Sequence, residues 1–473
     1  MKKLSNFYKE NVAIIDSLLR IDESFDLLKK TIKIGQDEIT LYYIDGFVKD
    51  ASMGKLMTHF LSLKSLGEVS EGCAREFLEA NLPYVEADVT DDLDTMINMV
   101  LSGSSLMLGS TFCNKAILID TRSYPARGTE EPDNDRVMRG ARDGFVETLI
   151  SNTALIRRRI RDTSLTMSYT SIGKRTKTDV VLCYMKDKAD PGYVENIKRK
   201  LREIKTDSLN LGHQSLTECL IKTGWYNPFP KIRYTERPDV VSAQLLEGSV
   251  VILCDNSPEA MILPTSIFDF MQETNDFYFP PFTGSYLRLV RHLVFWSTLV
   301  FIPIWYLFVK NPEIVPSWLL FTLPTSEARI PIIVQLLLVE FLLDGLKLAS
   351  MNTPNMLANS LSIVGGLILG DFAVSVGWLI PEVILYMAYV SIATFAQTSY
   401  ELGYAFKFLR VIILILTALF NYIGFGAGIV LTLLLIAVNK NVNGKRSYLY
   451  PLIPFNGKAL LSLYIRQKKN EKN

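Results

Sequence analysis

The longest uncharged run of this chain reads Val411-Ile-Ile-Leu-Ile-Leu-Thr-Ala-Leu-Phe-Asn-Tyr-Ile-Gly-Phe-Gly-Ala-Gly-Ile-Val-Leu-Thr-Leu-Leu-Leu-Ile-Ala-Val438. A helix of about 20 apolar residues is long enough to cross the hydrocarbon core of a bilayer. A run of this length without a charge therefore predicts a membrane-spanning helix. It also predicts that the C-terminal part of the chain is a membrane domain.

Four more apolar segments come before this run and extend the predicted membrane domain over residues 293–438. They are Leu293 to Val309, Ile330 to Leu346, Leu361 to Leu379 and Ile380 to Ala396. Arg288, Arg291 and His292 stand directly before the first of them. Basic residues flank membrane helices mostly on the cytoplasmic side, so the first span is expected to start there.

The basic tail, residues 439–473, is expected to lie in the cytoplasm by the same rule. The N-terminal half is expected there too, because it begins without a signal peptide. Five full spans would separate these two ends, so an even number of crossings is favoured. We expect the glycine- and proline-broken region from Gly365 to Pro381 to enter and leave from one side, since irregular backbone at membrane depth needs protein or water around it.

Charges are frequent before Asp276, which predicts that this half of the chain is soluble. Strand-like and helical runs alternate in residues 1–126 and again in residues 127–276, after a polar, turn-rich segment. Two cytosolic α/β subdomains are expected, and no internal repeat stands out. Residues 277–292 are aromatic and proline-rich and predict an elbow at the membrane surface. The expected fold class is an α/β soluble N-terminal half with two small subdomains, followed by an all-α multi-span membrane domain.

The composition gives no support for nucleic-acid binding or for enzymatic chemistry. The 473 residues carry a formal charge of +1, without an acidic or basic bias. The sequence contains no phosphate-binding loop, zinc-binding helix or nucleophile elbow, so no catalytic residue, cofactor or metal is predicted. The five cysteines include no close pair, and Cys183 and Cys254 fall in strand-like runs, which favours small core residues over disulfides or zinc.

Glu340 and Asp344 stand four residues apart, so they share one face of a helix. A carboxylate at membrane depth is costly unless it is paired or faces water, which predicts an ion path along this face. The alternative is that Asp344 lies near the cytoplasmic end and pairs with Lys347 or a neighbouring arginine. Three further candidates for the path are Asp371, Glu382 and Asn421. For the last of these, the alternative is a hydrogen bond between helices.

Two pairs of glycines have the spacing that lets helices approach closely. They are Gly366 with Gly370, and Gly424 with Gly428. The close contact that they predict lies either within one chain or between copies of the chain. An oligomer around a central axis would need such contacts, so these four positions are candidates for oligomerisation as well as for helix packing.

A group of arginines ends a helical run in the soluble half, for which Asp143 is the predicted N-cap. The group consists of Arg157, Arg158, Arg159 and Arg161. Cations at the C-terminus of a helix suit its dipole. The favoured interpretation is a solvated helix end that makes salt bridges, and the alternative is contact with lipid phosphates or a partner.

The run that contains these arginines reads Gly140-Ala-Arg-Asp-Gly-Phe-Val-Glu-Thr-Leu-Ile-Ser-Asn-Thr-Ala-Leu-Ile-Arg-Arg-Arg-Ile160. It strongly resembles the signature of the spore germination receptor A subunits, the GerA family, although Ala141 stands where that signature usually has proline. Two further stretches, Ser362 to Gly370 and Tyr448 to Phe455, look like motifs of the same family. The stretches Ile380 to Tyr386, Tyr400 to Lys407 and Gly444 to Tyr450 look most like its stage V sporulation branch.

The resemblance implies a protein of the spore inner membrane that acts with nutrient receptors, the germinant receptors, in germination. It also implies a homo-oligomeric, ring-forming subunit of ion release, with a small membrane partner in the same lipid bilayer. Two alternatives stay open: a proton-coupled secondary transporter, and a non-conducting receptor or scaffold subunit. Inverted internal repeats would favour the transporter, and none is visible in the sequence.

Overall fold

The computed structural model describes residues 3–82, 86–124, 140–221, 226–325, 328–352, 373–443 and 448–466. The chain forms two compact units, of which the first comprises residues 1–223 and 232–264 and the second residues 224–231 and 265–473. The last strand of the first unit ends at Leu263. Residues 265–276, which the sequence analysis assigned to the soluble half, therefore group with the second unit.

The first unit begins with a five-stranded antiparallel sheet in the order β1-β2-β4-β5-β3. Its strands are β1 (Leu27–Ile34), β2 (Asp37–Ile44), β3 (Ala87–Thr90), β4 (Ser105–Gly109) and β5 (Ala116–Ile119). The accompanying helices are α1 (Tyr8–Leu19), α2 (Asp50–Ser62), α3 (Cys73–Asn81) and α4 (Leu93–Leu101). Leu106 and Met107 point to opposite faces of the sheet and belong to separate cores, so both faces are covered.

A second five-stranded antiparallel sheet follows in the order β6-β7-β9-β10-β8. Its strands are β6 (Leu165–Ile172), β7 (Thr178–Met185), β8 (Arg233–Thr235), β9 (Val250–Cys254) and β10 (Ala260–Leu263). Its helices are α5 (Leu149–Arg159), α6 (Pro191–Glu203), α7 (His213–Leu220) and α8 (Pro238–Leu246). The sequence predicts an α/β N-terminal half, and this prediction is confirmed by the two sheets with their helices.

The two halves of the first unit repeat one motif. Each half runs helix, strand, strand, helix, helix, strand, helix, strand, strand, and the strand order in the two sheets is the same. The β1–β2 and β6–β7 pairs each extend over eight residues. Chance does not explain nine elements in the same order with the same pairing, so we conclude that the unit contains an internal tandem repeat.

Local contacts repeat as well. The buried amide of Asn11 in α1 bonds to both N and O of Ser5, and the buried amide of Asn152 in α5 bonds to both N and O of Val146. Gly103 and Gly248 follow α4 and α8 with φ values of 100° and 98°, a conformation that glycine adopts without strain. The repeat therefore extends from topology to individual caps.

Two details of the first unit bear on the sequence analysis. Helix α5 begins at Leu149, so Asp143 is not the N-cap of this helix. The carboxylate of Asp143 instead accepts hydrogen bonds of 2.5 and 2.6 Å from Arg159.

Cys183 and Cys254 are buried in β7 and β9, which confirms them as small core residues. Burial raises the pKa of the Cys254 thiol to about 12, so this group stays protonated at neutral pH.

The second unit is helical. Its helices are α9 (Asn275–Tyr278), α10 (Pro281–Lys310), α11 (Ile332–Asn352), α12 (Pro381–Phe395), α13 (Tyr400–Val438) and α14 (Gly457–Tyr464), with a single turn at Ala373–Ser375. By length and composition, two of the described helices, α10 and α13, are apolar enough to cross a membrane, and α12 is a shorter apolar helix. Helix α10 already begins at Pro281, so the predicted elbow is limited to the two residues after Tyr278.

Helix α13 is a hairpin of two helical arms rather than one span. Asn421 has φ 52° and ψ −128°, which ends a first arm (residues 400–420) and starts a second (residues 422–438). A Cβ atom added at Gly424 would overlap the backbone of Leu416, and one added at Gly428 would approach Ile413. Later positions in the second arm thus meet earlier positions in the first, so the arms are antiparallel. The single span predicted from residue 411 to residue 438 is wrong.

Candidate functional site

Four charged side chains meet where α11 packs against the first arm of α13. Glu340 Oε1 lies 2.5 Å from Arg410 Nη2 and 3.8 Å from Lys407 Nζ. Asp344 forms a second ion pair with Lys407. We call Glu340, Asp344, Lys407 and Arg410 the charge cluster.

The spacing of the residues explains why these charges meet. The two acids stand four apart on α11 and the two bases three apart on α13, so each pair forms a short stripe along one helix face. The side chain of Arg410 is 5% exposed, whereas that of Asp344 is 36% exposed. The cluster therefore has a buried end at Arg410 and a partly open end at Asp344.

A third helix closes the buried end of the cluster. Arg410 Nη1 donates a hydrogen bond of 2.9 Å to the carbonyl oxygen of Thr298 in α10. Near the open end, the ammonium group of Lys347 lies 5.3 Å from the ring centre of Phe395 and 5.7 Å from that of Tyr404. The cluster thus connects three helices, and Lys347 stacks against aromatic rings close to it.

The structure brings Glu340 and Asp344 together on one face, and it identifies their partners. The ion-pair partner of Asp344 is Lys407, whereas the sequence alternative named Lys347 or a neighbouring arginine. Lys407 and Arg410 are not among the site residues predicted from the sequence, because both stand before the apolar run that begins at Val411. The available signal was a pair of cations at helical spacing, opposite in sign to the two acids.

Asn421 lies at the corner of the hairpin, away from the cluster. At about 1.5 Å of rise per residue, it is about 16 Å further along the first arm than Arg410. Its amide pairs reciprocally with that of Asn311, through hydrogen bonds of 2.7 and 2.8 Å. Asn421 thus makes a hydrogen bond between helices.

Lys310 completes the same corner. The break at Asn421 frees carbonyl groups in the last turn of the first arm, which have no donor within that arm. Lys310 Nζ donates to the carbonyl oxygens of Ala418 at 2.8 Å and Thr417 at 3.3 Å. A cation at the C-terminal end of a helical arm also suits the dipole of that arm. The corner is therefore held by polar contacts from the end of α10.

Of the other predicted site residues, Glu382 is described and lies outside the cluster. Glu382, in the first turn of α12, accepts hydrogen bonds of 3.1 and 3.2 Å from the N–H and hydroxyl of Thr325. Gly366, Gly370 and Asp371 lie outside the described residues, as do residues 365–372 of the region expected to enter and leave from one side. Within the described ranges, no group of three histidine, cysteine or acidic side chains is arranged to hold a metal ion.

Gly424 and Gly428 make the close contact within one chain, between the two arms of the hairpin. Replacing Gly424 by alanine is expected to destabilise the protein, because the added Cβ would strike the backbone of Leu416. At Gly426, in the described part of the chain, no atom lies within 4 Å of an added Cβ. Gly426→Ala is thus the matched control and is expected to be neutral or slightly stabilising, since alanine favours helix.

Thermal unfolding of the detergent-solubilised full-length protein measures this difference. We expect Gly424→Ala to lower the unfolding midpoint by several degrees relative to Gly426→Ala, as overpacking costs roughly 1–3 kcal/mol. Equal midpoints for the two variants would show that the arms do not pack through Gly424.

Of the arginines at the end of α5, Arg157 is buried and Arg159 is half-buried, whereas Arg158 and Arg161 are exposed. Arg157 is completely buried against Asp26. Arg158 stacks 4.5 Å from the ring centre of Tyr124, and Arg161 donates to Ser102. The interpretation as a solvated helix end is therefore wrong for Arg157, because an acid from the other repeat provides its counter-charge.

Comparison with known proteins identifies the family. The model of the Bacillus/Clostridium GerA spore germination protein family matches residues 15–473. The chain belongs to this family of spore germination proteins, as its signature run predicted. Stage V sporulation protein AF of Bacillus subtilis (strain 168) is 38% identical to it over 448 residues, covering 94% of this chain and 90% of that protein. The predicted resemblance to the stage V branch is confirmed.

Other relatives extend over similar lengths. Spore germination protein A1 of Bacillus subtilis (strain 168) is 26% identical, with 100% of this chain and 97% of that protein covered. A further match is the crystal structure of the N-terminal domain of the A subunit of the Bacillus megaterium spore germinant receptor GerK3. The aligned region covers 55% of this chain and 96% of the chain in that structure. Its sequence identity is 25% and its TM-score is 0.41.

Proposed function

We propose that this chain is an oligomeric membrane subunit of a germinant-receptor-like complex and that it contributes to cation release during spore germination. The observation that carries the proposal is the charge cluster. Ionised side chains among otherwise apolar helices are costly and generally mark ion or proton routes. The proposed setting is the spore inner membrane, and membership of the GerA family of spore germination proteins supports it.

The pairing within the cluster suggests how the route is controlled. Glu340 and Asp344 are neutralised by Lys407 and Arg410 of the same chain, so they are not free to hold a cation in the arrangement described. Lys407 bonds to the acid at the open end, where separation of the pair costs least. Movement of Lys407 away from Asp344 would expose a carboxylate to a passing cation. We therefore assign the described arrangement to a closed state.

The hairpin supports a multi-pass topology with an even number of crossings. Its two arms add one crossing to the count made from the sequence, so the basic tail returns to the side on which α10 begins. In the proposed topology, the soluble half and the tail lie together in the cytoplasm of the spore, without a segment that enters and leaves from one side. In this topology α10 and the first arm both begin on the cytoplasmic side. The second arm ends on the same side.

Labelling of introduced cysteines tests this topology. Ile314 follows α10 and is exposed, and Lys458 in α14 is exposed as well. In a background in which the exposed Cys219 is replaced by serine, Ile314→Cys is expected to react with a membrane-impermeant maleimide added outside intact cells. Lys458→Cys is expected to react only after the membrane is opened. Strong external labelling at Lys458→Cys would overturn the even number of crossings.

Reconstitution tests the proposed function itself. Purified full-length protein in liposomes is expected to conduct cations and, viewed in lipid, to form a ring with an axial pore. A small membrane partner and the germinant receptors are the proposed further components. A proton-coupled transporter would instead show uptake driven by a proton gradient, and a scaffold subunit would show no flux. Flux absent from well-assembled rings would refute conduction by this chain.

A further inference from the structure

A second group of basic side chains lies at the other end of α10 from the hairpin corner. Arg288 and His292 stand on successive turns of this helix and are 5% and 3% exposed. Arg466 follows α14, and its backbone N–H donates a hydrogen bond of 2.9 Å to Ser285 of α10. Its side chain would meet a Cβ added at Gly284, one turn before Arg288. The three basic side chains thus line the junction between the start of α10 and the end of α14.

The nearby acids are already occupied by another arginine. Arg291 bonds to Glu273 at 2.6 Å and to both carboxylate oxygens of Asp276, which is fully buried. Arg288 Nε lies 3.9 Å from Asp276, which is too far for a hydrogen bond. Among the described residues, two carboxylates face three guanidinium groups at this junction, so it carries one positive charge in excess.

The junction also leaves buried polar atoms without partners. Arg288 donates to the carbonyl oxygen of Ser462 through Nη1 at 2.9 Å, and its guanidinium stacks on Phe277. Among the described residues, its Nε and Nη2 atoms have no hydrogen-bond partner, and the same holds for Nη1 of Arg466 and Nε2 of His292. Buried groups of this kind are costly when they stay unsatisfied. An acceptor that reaches the unpaired arginine nitrogens would remove that cost for them, and it would also reach His292 Nε2 when that ring is protonated.

We propose that Arg288, His292 and Arg466 form a binding site for a phosphate oxyanion. The guanidinium fork of arginine matches the geometry of phosphate oxygens, and His292 Nε2 becomes a donor when its ring is protonated. The junction lies at the start of the first candidate span, the depth at which lipid head groups are found. The phosphate is therefore carried by an anionic lipid, or it is free phosphate, and both sources share the same chemistry.

Binding to the detergent-solubilised full-length protein tests the proposal. Phosphatidylglycerol retention is measured by native mass spectrometry, with phosphatidylcholine as the zwitterionic comparison, and inorganic phosphate binding by equilibrium dialysis. Arg466→Gln is the main variant, because this side chain is only partly buried. Lys458→Gln is the matched control, since it removes the same charge from exposed surface of α14. We expect Arg466→Gln to weaken binding about tenfold, as one charge-assisted hydrogen bond is lost, and Lys458→Gln to bind like the parent.

The two probes separate the sources of the phosphate. Retention of phosphatidylglycerol without binding of inorganic phosphate identifies a lipid site, and the reverse identifies a free-anion site. Either result supports the proposal when Arg466→Gln weakens that binding and Lys458→Gln does not. Arg288→Gln is expected to act in the same direction, and if it fails to fold, Arg466→Gln still decides. The proposal is overturned if the parent binds neither probe, or if Arg466→Gln and Lys458→Gln bind equally.

Discussion

Replacing Arg157 by methionine is expected to lower the free energy of unfolding of the first unit by about 3–5 kcal/mol, the usual cost of breaking a buried ion pair from one side. Arg157 Nε and Nη2 bond to the two carboxylate oxygens of Asp26 at 2.7 and 3.0 Å, and the two side chains are 0% and 2% exposed. Methionine would leave the Asp26 carboxylate buried without a counter-charge. The same arginine also donates to the carbonyl oxygen of Leu165.

Urea unfolding of the full-length protein, followed by far-UV circular dichroism, measures the loss. Arg199→Met is the control, because the Arg199–Glu203 pair is 66% and 68% exposed and such pairs contribute about 0–1 kcal/mol. Removing both partners, with Arg157→Met and Asp26→Leu, is expected to recover much of the stability. Equal losses for Arg157→Met and Arg199→Met would mean that the buried pair does not hold the unit together.

The position of this ion pair gives it a particular role. Asp26 immediately precedes β1 in the first repeat, whereas Arg157 belongs to α5, the first helix of the second repeat. Ser24 adds a hydrogen bond to the carboxylate from the same side as Asp26. The ion pair therefore joins the two repeats. Its loss is expected to lower the cooperativity with which the two repeats unfold, as well as their stability. The signature run is thus structural at this arginine.

The strands of the soluble half were largely predictable from local sequence, but their arrangement was not. The runs Val250–Cys254 and Ala260–Leu263 are short, apolar and bounded by turn residues, which is typical of buried strands, and both form strands. The tandem repeat escaped prediction because it is carried by strand order and caps. Positions such as Asn11 and Asn152, or Gly103 and Gly248, are too few and too far apart to form a visible repeat in the sequence.

The helical unit shows a different limit of sequence reasoning. Hydropathy detects apolar helices, but both arms of the hairpin are apolar. The hydropathy of the sequence therefore does not indicate the corner at Asn421. The uncharged run from Val411 to Val438 has 28 residues, more than the about 20 that one span requires, and this excess length was the available signal. In the same way, helical spacing placed Glu340 and Asp344 on one face, whereas their basic partners come from a helix far away in the sequence.

These partners change how the proposed ion path has to be tested. Neutralising Glu340 and Asp344 together would leave Lys407 and Arg410 buried without counter-charges. That variant is expected to lose stability, so a loss of conductance would not distinguish an ion path from a damaged fold. A charge-balanced change avoids the difficulty, because removing both members of a buried pair is far less costly than removing one.

The balanced variant combines Glu340→Gln with Arg410→Gln, and it is compared with each single change in a double-mutant cycle. We expect each single change to lower the unfolding midpoint, because it leaves the partner charge unpaired. The double variant is expected to recover part of this loss, since Glu340 and Arg410 are 2.5 Å apart and their effects are coupled. Cation conductance of the assembled pair variant in liposomes is expected to fall about tenfold, as if the barrier had risen by about 1.4 kcal/mol.

Glu382→Gln provides the comparison that assigns the loss to the cluster. It makes the same acid-to-amide change on α12, outside the charge cluster, and the new side chain keeps the oxygen that accepts from Thr325. We expect it to conduct like the parent. If the balanced pair variant assembles and conducts like the parent too, the cluster is an ion-pair bridge between helices and the cation takes another route. If Glu382→Gln alone loses conductance, that route runs along the start of α12 instead.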